Sequence, residues 1–143
     1  MKKLLLAVSA LAVISGSAFA DPIADRKAIM KERGGIVGGQ LAPIVKGEKP
    51  FDAAAVMTAL QALDANAKKF DVDALFPAGS DQGDTKASPK IWEDMAGFKA
   101  AADKFAADVA AAVAANPQDA AAFQPLFGAI ASNCGACHQA YRM

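Results

Sequence analysis

The sequence predicts an all-α protein, folded as an antiparallel up-down-up-down four-helix bundle. Apolar residues recur three, four or seven positions apart in four successive segments, and in none of them do they alternate as in a half-buried strand. Alanine is abundant and β-branched residues are sparse, which favours helices over strands. Breaks containing glycine or proline separate the segments, and the short first and third breaks predict antiparallel neighbours.

Residues 1–20 are predicted to be a signal peptide that is cleaved from the folded domain, residues 21–143. A basic start is followed by the apolar run 4–14 and by small residues that end at Ala20. This order is typical of a secretory signal cleaved after Ala20. The alternative is a membrane anchor, which is disfavoured because the run is too short to span a bilayer. The mature chain is therefore expected to be exported and to carry no membrane span.

Composition excludes several classes of function. Without Lys2 and Lys3, 13 basic residues stand against 15 acidic ones, so the basic surface that nucleic acid requires is not expected. Two cysteines cannot build a disulfide scaffold or, by themselves, a four-ligand zinc site. A single histidine leaves little material for acid–base catalysis, so we expect no enzyme.

The first helix is predicted over residues 23–46. Its apolar stripe comprises Ile23, Met30, Val37, Leu41 and Ile44. Four glycines lie inside it, and each costs about 1 kcal/mol relative to alanine in a helix. They are Gly34, Gly35, Gly38 and Gly39. Their spacing predicts either a close approach of this helix to another helix or a cofactor, or a broken helix.

The other three helices are predicted from their start signals. The second begins at Asp52, a plausible N-cap, and an irregular link follows over residues 70–88. The third opens with Ser88 and Pro89, a cap followed by proline at the first helical position. The fourth opens at Asn116, and Pro125 is predicted either to kink it or to delay its start.

Cys134, Cys137 and His138 form the C-x-x-C-H pattern that is typical of a c-type haem attachment site. Two thiols that add to the haem vinyl groups need a fixed separation on one helix face, and the adjacent imidazole can then bind iron. The alternatives fit less well. A redox dithiol should open a helix after a strand, a zinc site needs further ligands, and a simple disulfide leaves His138 without a role. We predict one haem c per chain, with His138 as the metal ligand.

The second axial position of the iron cannot be filled by histidine, because the chain has no other. Met30 lies on the apolar stripe of the first helix, one turn after Arg26. An arginine on an inward face requires a charge partner, and haem propionates could provide one. We therefore predict that Arg26 and Met30 form the distal side of the haem site.

The sequence resembles the cytochromes c′, which are class II c-type cytochromes, along nearly all of residues 21–143. The matching residues are Arg26 and Met30, the segments 46–52 and 89–92, and the segment 134–142. The haem motif close to the C-terminus, together with Arg26, makes the resemblance specific to this class.

The resemblance implies a role for each site residue. Cys134 and Cys137 would bind the haem, and His138 would be the proximal ligand. Arg26 would lie by a propionate with Lys27 beside it. Further cofactor contact is implied for Arg142, near His138 on the proximal side.

Met30 would occupy the distal face without binding iron, which leaves a five-coordinate centre open to nitric oxide or carbon monoxide. In the low-spin sister group of c556-type cytochromes, a methionine at the place of Met30 binds the iron, and this is the alternative. The resemblance also implies a periplasmic homodimer built on the first two helices, and redox partner proteins. Electron transfer is the expected function, with gas binding as the alternative.

Overall fold

The computed structural model describes residues 21–143, and the predicted signal peptide, residues 1–20, lies outside the described residues. Seven α-helices and one π-helical segment make up this part of the chain. They are α1 (Pro22–Gly34), the π-helical segment (Gly35–Leu41), α2 (Ala42–Val45), α3 (Ala53–Lys68), α4 (Val72–Leu75), α5 (Lys90–Glu93), α6 (Met95–Ala115) and α7 (Ala120–Tyr141). None of these helices combines the length and the apolar character needed to cross a membrane.

The long helical stretches pack as the predicted four-helix bundle. Helix α6 packs against α3 on one side and against α7 on the other. The first stretch, residues 22–45, contacts α3 through α1 and the π-helical segment, and it reaches α7 through α2. The fold class predicted from the sequence is therefore confirmed.

The first stretch is helical throughout, as predicted, but its turns widen over the glycine-rich residues 35–41. Asp21 starts it, because its carboxylate accepts hydrogen bonds from the backbone N–H groups of Ile23 and Ala24 at 2.9 and 3.2 Å. The glycines neither break the helix nor bring it close to another helix of the described chain, and their close approach to a cofactor stays a prediction. The helix does not break, and a Cβ added at any of the four would meet nothing within 4 Å. The glycine face is exposed instead.

The predicted helix starts are right at Asp52, right at Ser88 for the short helix α5 only, and wrong at Asn116. Asp52 caps α3, accepting from the backbone N–H of Ala55 at 2.7 Å. The third helix does not run on from Ser88, because Asp94 leaves the helical conformation after α5 and caps α6 with its own side chain. The fourth does not begin at Asn116, which instead ends α6 in a left-handed conformation with φ 44°. Asp119 caps α7, and that helix continues through Pro125.

The core has two parts. The large core cluster joins the four long stretches and contains the buried residues Ile36, Leu41, Val56, Ala59, Leu60, Leu63, Ala67, Phe105, Val109, Ala112, Phe123 and Ile130. The aromatic cluster closes the other end of the bundle and contains Val72, Leu75, Phe76, Ile91, Phe98 and Tyr141. Phe98 stacks edge-on against both Phe76 and Tyr141, with ring centroids 4.7 and 5.2 Å apart.

Gly97→Ala is expected to destabilise the protein by about 1–3 kcal/mol, measured by urea unfolding. A Cβ at Gly97 would lie 2.6 Å from Tyr141 Oη, and it would also press on the Asp94 carboxylate that accepts the Tyr141 hydrogen bond. The control is Gly128→Ala in α7, where a Cβ meets nothing within 4 Å. That change should stabilise the helix by about 0.5–1 kcal/mol. Equal effects of the two substitutions would contradict the close packing at Gly97.

Candidate haem-binding site

The second half of α7 presents the C-x-x-C-H residues at the junction of the two core clusters. Cys134 packs against the large core cluster and Cys137 against the aromatic cluster. Both thiols are free and half-buried, while the neighbouring His138 is more exposed. Residues three apart on a helix share one face, so the two sulfur atoms project to the same side of α7. The inward placement predicted for both cysteines is confirmed.

Helix α1 faces this half of α7 but packs little against it. Because the first stretch runs antiparallel to α7, α2 meets the first half of α7, and α1 lies opposite the half that holds residues 134–138. Helix α1 packs on α3 and α4 at this level, whereas α7 packs on α6. The packing partners of α1 at this level are therefore α3 and α4 rather than α7.

Burial and charge both act on the motif. Burial raises the pKa of the Cys134 and Cys137 thiols, and the positive charge of Arg33 offsets part of this rise. The pKa of His138 is lowered, first by burial and then by the positive charges of Arg142 and Arg33. A lowered pKa keeps the imidazole neutral, which is the form that binds a metal ion.

Arg26 is buried, as its inward position predicted, and only 4% of its surface is exposed. Its four terminal N–H bonds point to acceptors in the segment that follows α3. Nη1 donates to the Leu75 carbonyl at 3.2 Å and to Ser80 Oγ at 3.1 Å. Nη2 donates to the Ser80 carbonyl at 2.8 Å and to Thr85 Oγ1 at 2.7 Å. The guanidinium also lies over the Phe76 ring, 4.8 Å from its centroid. This chain thus supplies the partners that the sequence analysis assigned to a propionate.

The other residues predicted to contact the haem lie at three different places around the site. Lys27 is exposed and pairs with Asp84 at 2.6 Å. Asp84 lies in residues 75–85, the stretch that also accepts the hydrogen bonds of Arg26. Arg142 is exposed just beyond α7, and its backbone N–H donates to the His138 carbonyl at 3.1 Å. Met30 is half-buried on α1, one turn after Arg26, and belongs to neither core cluster. A half-buried methionine outside the core is free to contact a cofactor.

Arg33 is a further residue of this region that the sequence did not predict. It lies seven residues after Arg26 and three after Met30, so the heptad spacing that placed those residues inward also applies to it. Its guanidinium lines a cavity of about 260 Å³ between α1, the end of α3 and α6. Its Nη2 atom is buried and has no hydrogen-bond partner within residues 21–143. Leaving such a donor unpaired costs about 1–3 kcal/mol, so the site is incomplete as the chain alone forms it.

These residues fit a covalently bound haem. Two half-buried thiols lie on one helix face, an imidazole with a lowered pKa follows them, and the opposing helix α1 packs on α3 and α4 rather than on α7. One guanidinium nitrogen, Nη2 of the half-buried Arg33, is buried and lacks an acceptor within residues 21–143. No cluster of three or more acidic, cysteine or histidine side chains that could hold a metal ion occurs among the described residues, which leaves no support for the zinc alternative.

Known proteins match the chain in both sequence and fold. The family model described as Cytochrome C' matches residues 21–142. Cytochrome c-556 of Agrobacterium fabrum (strain C58 / ATCC 33970) is 44% identical over 124 residues, which cover 87% of this chain and 82% of the relative. The solved structure of cytochrome c′ from Rhodopseudomonas palustris superposes with a TM-score of 0.79 and 42% identity, over 87% of this chain and 97% of that one. A nitric oxide complex of a cytochrome c prime mutant from Alcaligenes xylosoxidans gives a TM-score of 0.74 and 30% identity, over 85% and 93% of the two chains.

Proposed function

Since this chain belongs to the cytochrome c′ family, and is therefore a monohaem c-type cytochrome with covalently bound haem c, we propose that Cys134 and Cys137 form its two thioether bonds and that His138 is the proximal iron ligand. One observation carries this assignment. The only two cysteines and the only histidine of the sequence fall within positions 134–138, with both thiols packed against the core clusters.

We propose electron transfer as the function. When bound at Cys134 and Cys137, the haem would supply a one-electron ferric/ferrous couple for exchange with redox partner proteins. The chain's part is to hold the group in place and to limit its contact with water. Thioether bonds at α7 prevent its loss, and the aromatic cluster packs directly against Cys137. Arg26 and Lys27 lie together at one end of α1, which the family resemblance implies is the propionate end, and the chain already provides acceptors for all four terminal N–H groups of Arg26.

Whether a residue on the distal side binds the iron decides between an open and a closed iron centre. We propose a five-coordinate centre that can admit nitric oxide or carbon monoxide, with Met30 beside it. The nitric oxide complex of the Alcaligenes protein supports this proposal. A second candidate is a six-coordinate electron carrier in which Met30 binds iron. It is favoured by the half-buried position of Met30 outside both core clusters and by the similarity to a cytochrome c-556.

Absorption spectra of the purified mature protein distinguish these candidates. We expect high-spin ferric bands and ready uptake of carbon monoxide by the ferrous protein, because an open position accepts the gas without displacing a ligand. The contrary result is a low-spin spectrum with a methionine-to-iron band that becomes high-spin in Met30→Leu. That outcome would replace the gas-binding proposal with the six-coordinate electron carrier.

We propose further that the mature chain is periplasmic and homodimeric. Both properties are what the resemblance to the cytochromes c′ implies. In this chain the glycine face of residues 34–39 is exposed and meets no other part of the described chain, so a second copy could pack closely against it. Sedimentation of the haem-loaded protein tests this, and a monomer at micromolar concentration would contradict it.

A further inference from the structure

The segment 76–88 touches both helices that carry the proposed distal and proximal residues of the haem site. Helix α1 holds Arg26 and Met30, α7 holds His138, and the two helices have little direct contact with each other. The segment accepts hydrogen bonds from the Arg26 side chain and pairs with the residues that follow α7. It is therefore a direct link between the two helices.

Helix α1 holds the segment through buried contacts. Arg26 Nη2 donates to Thr85 Oγ1 at 2.7 Å, the shortest of the four hydrogen bonds that this side chain makes to the segment and to the end of α4. Gly83 has a φ of 112°, and a Cβ there would lie 3.3 Å from Ile23 Cδ1. Only glycine adopts that conformation easily, so the chain can turn close against α1 at this point.

The other end of the segment forms an antiparallel bridge with the last residues of the chain, 141–143. The backbone N–H of Ser88 donates to the Tyr141 carbonyl at 2.9 Å. The backbone N–H of Met143 donates to the Lys86 carbonyl, also at 2.9 Å. The bridge therefore ties the end of α7 to the same segment that Arg26 holds.

The bridge supports the last turn of α7, which contains His138. The last carbonyls of a helix have no helical partner, and chain ends fray unless something holds them. Arg142 lies opposite Ala87 in the bridge, and its backbone N–H donates to the His138 carbonyl at 3.1 Å. The bridge that holds Arg142 thus keeps this turn closed, so the position of the His138 imidazole depends on it.

Thr85 joins the two attachments through one atom. Its Oγ1 accepts from Arg26 Nη2 at 2.7 Å and from the backbone N–H of Ala87 at 3.1 Å. A hydroxyl oxygen has two acceptor lone pairs, so both bonds can form at once. A threonine that accepts from the backbone two residues on fixes the local turn of the chain. Ala87 is thereby held where it meets Arg142.

We propose that Thr85 is a positioning residue of the haem site, whose hydroxyl connects Arg26 of α1 to the bridge that holds the His138 turn of α7. This inference rests on the proposed role of His138 as the proximal ligand. Without the hydroxyl, Arg26 loses one acceptor and the Ala87 N–H loses its partner. The last turn of α7 should then open more often, and the imidazole should be held less firmly in its orientation.

Thr85→Val tests the proposal in the haem-loaded protein, because valine keeps the branched shape and removes the acceptor. Hydrogen exchange of the Ser88 and Met143 amides, which form the bridge, should accelerate about tenfold. Resonance Raman spectra of the ferrous protein should show an iron–histidine stretching band that is broader and lower in frequency. Every chain carries Met30→Leu, so that a Met30–iron bond cannot hide this band.

Three further variants complete the test. Thr58→Val is the matched control, because this exposed residue of α3 bonds within its own helix, to the Ala54 carbonyl at 2.9 Å. It should change neither measurement. Thr85→Ser keeps the acceptor and should restore both. A chain that ends at Arg142 lacks the bridge bond of Met143 and should show the same change in the Raman band, which keeps the proposal testable if Thr85→Val does not fold.

An unchanged Raman band in Thr85→Val would overturn the proposal, whether or not amide exchange accelerates. So would an unchanged band in the chain that ends at Arg142, or an equal change in Thr58→Val. If Thr85→Ser behaves like Thr85→Val, the hydroxyl is not the group that positions the turn, and the proposal is wrong. The mass of the haem adduct is determined first. A missing adduct, or no iron–histidine band in the Met30→Leu protein, contradicts the proposed function, whereas a normal band that ignores Thr85 contradicts only this inference.

Discussion

Replacing Cys134 and Cys137 with serine is expected to yield a chain without covalent haem. Serine hydroxyls do not form thioether bonds with vinyl groups, and no other cysteine in the sequence can replace the two thiols. The measurement is the intact mass of protein matured in a cell that exports and assembles c-type cytochromes. We expect the full haem increment in the natural chain and none in the double variant.

The matched control is Ser132→Ala, an exposed residue of α7 whose hydroxyl bonds only to the Ala129 carbonyl, at 2.8 Å. It should retain the full adduct. Each single variant, Cys134→Ser or Cys137→Ser, can form at most one thioether bond, so its haem should be more easily lost on denaturation. A covalent adduct in the double variant would show that another side chain holds the haem and would contradict the assignment.

Haem attachment should also contribute to the stability of the fold. The two cysteines lie where the core clusters meet, opposite a helix that packs away from α7. A group that binds only the folded chain stabilises it by mass action, and covalent attachment makes that contribution permanent. The double variant is therefore expected to unfold at a lower urea concentration than Ser132→Ala.

Much of the fold follows from local sequence signals. The four periodic segments all become helices, and Asp52 caps α3 as predicted. The helix boundaries that were not predicted lie where more than one nearby residue could cap a helix. Asp94 ends one helix and starts the next because its side chain bonds to the backbone N–H of Gly97 and to Tyr141, which is 47 residues away. No local pattern reveals that distant partner.

Some residues of the haem site can be predicted from local sequence, and others cannot. The C-x-x-C-H residues are recognisable because their chemistry fixes both their identity and their spacing. The inward position of Arg26 followed from its register, but its partners, Ser80 and Thr85, lie in an irregular segment whose path periodicity does not describe. Arg33 had the same register signal, but the inward face is inferred from apolar residues, so the position of this charged residue was not predicted. Only the clamp formed by Asn66 and two aromatic rings shows that it faces inward.

Arg26→Met is expected to destabilise the haem-loaded protein by about 2–4 kcal/mol, measured by urea unfolding. The substitution keeps the length of the side chain but leaves the acceptors at Leu75, Ser80 and Thr85 without their donor. Burial lowers the pKa of Arg26, so the cation is already disfavoured there and is retained because these bonds compensate for its desolvation. Losing them should loosen the segment 76–88 that covers the aromatic cluster.

Two variants separate this role from a general effect of charge. Lys27→Met removes the adjacent cation from an exposed ion pair, and it should cost less than about 1 kcal/mol. Arg26→Lys keeps the charge but cannot direct four N–H bonds at once, so it should recover only part of the loss. If Arg26→Met and Lys27→Met unfold at the same urea concentration, the bonds from Arg26 to residues 75–85 do not hold the segment 76–88 in place. If instead its stability holds while the reduction potential of the haem shifts, the main partner of Arg26 is a propionate, and the segment is held by its own packing.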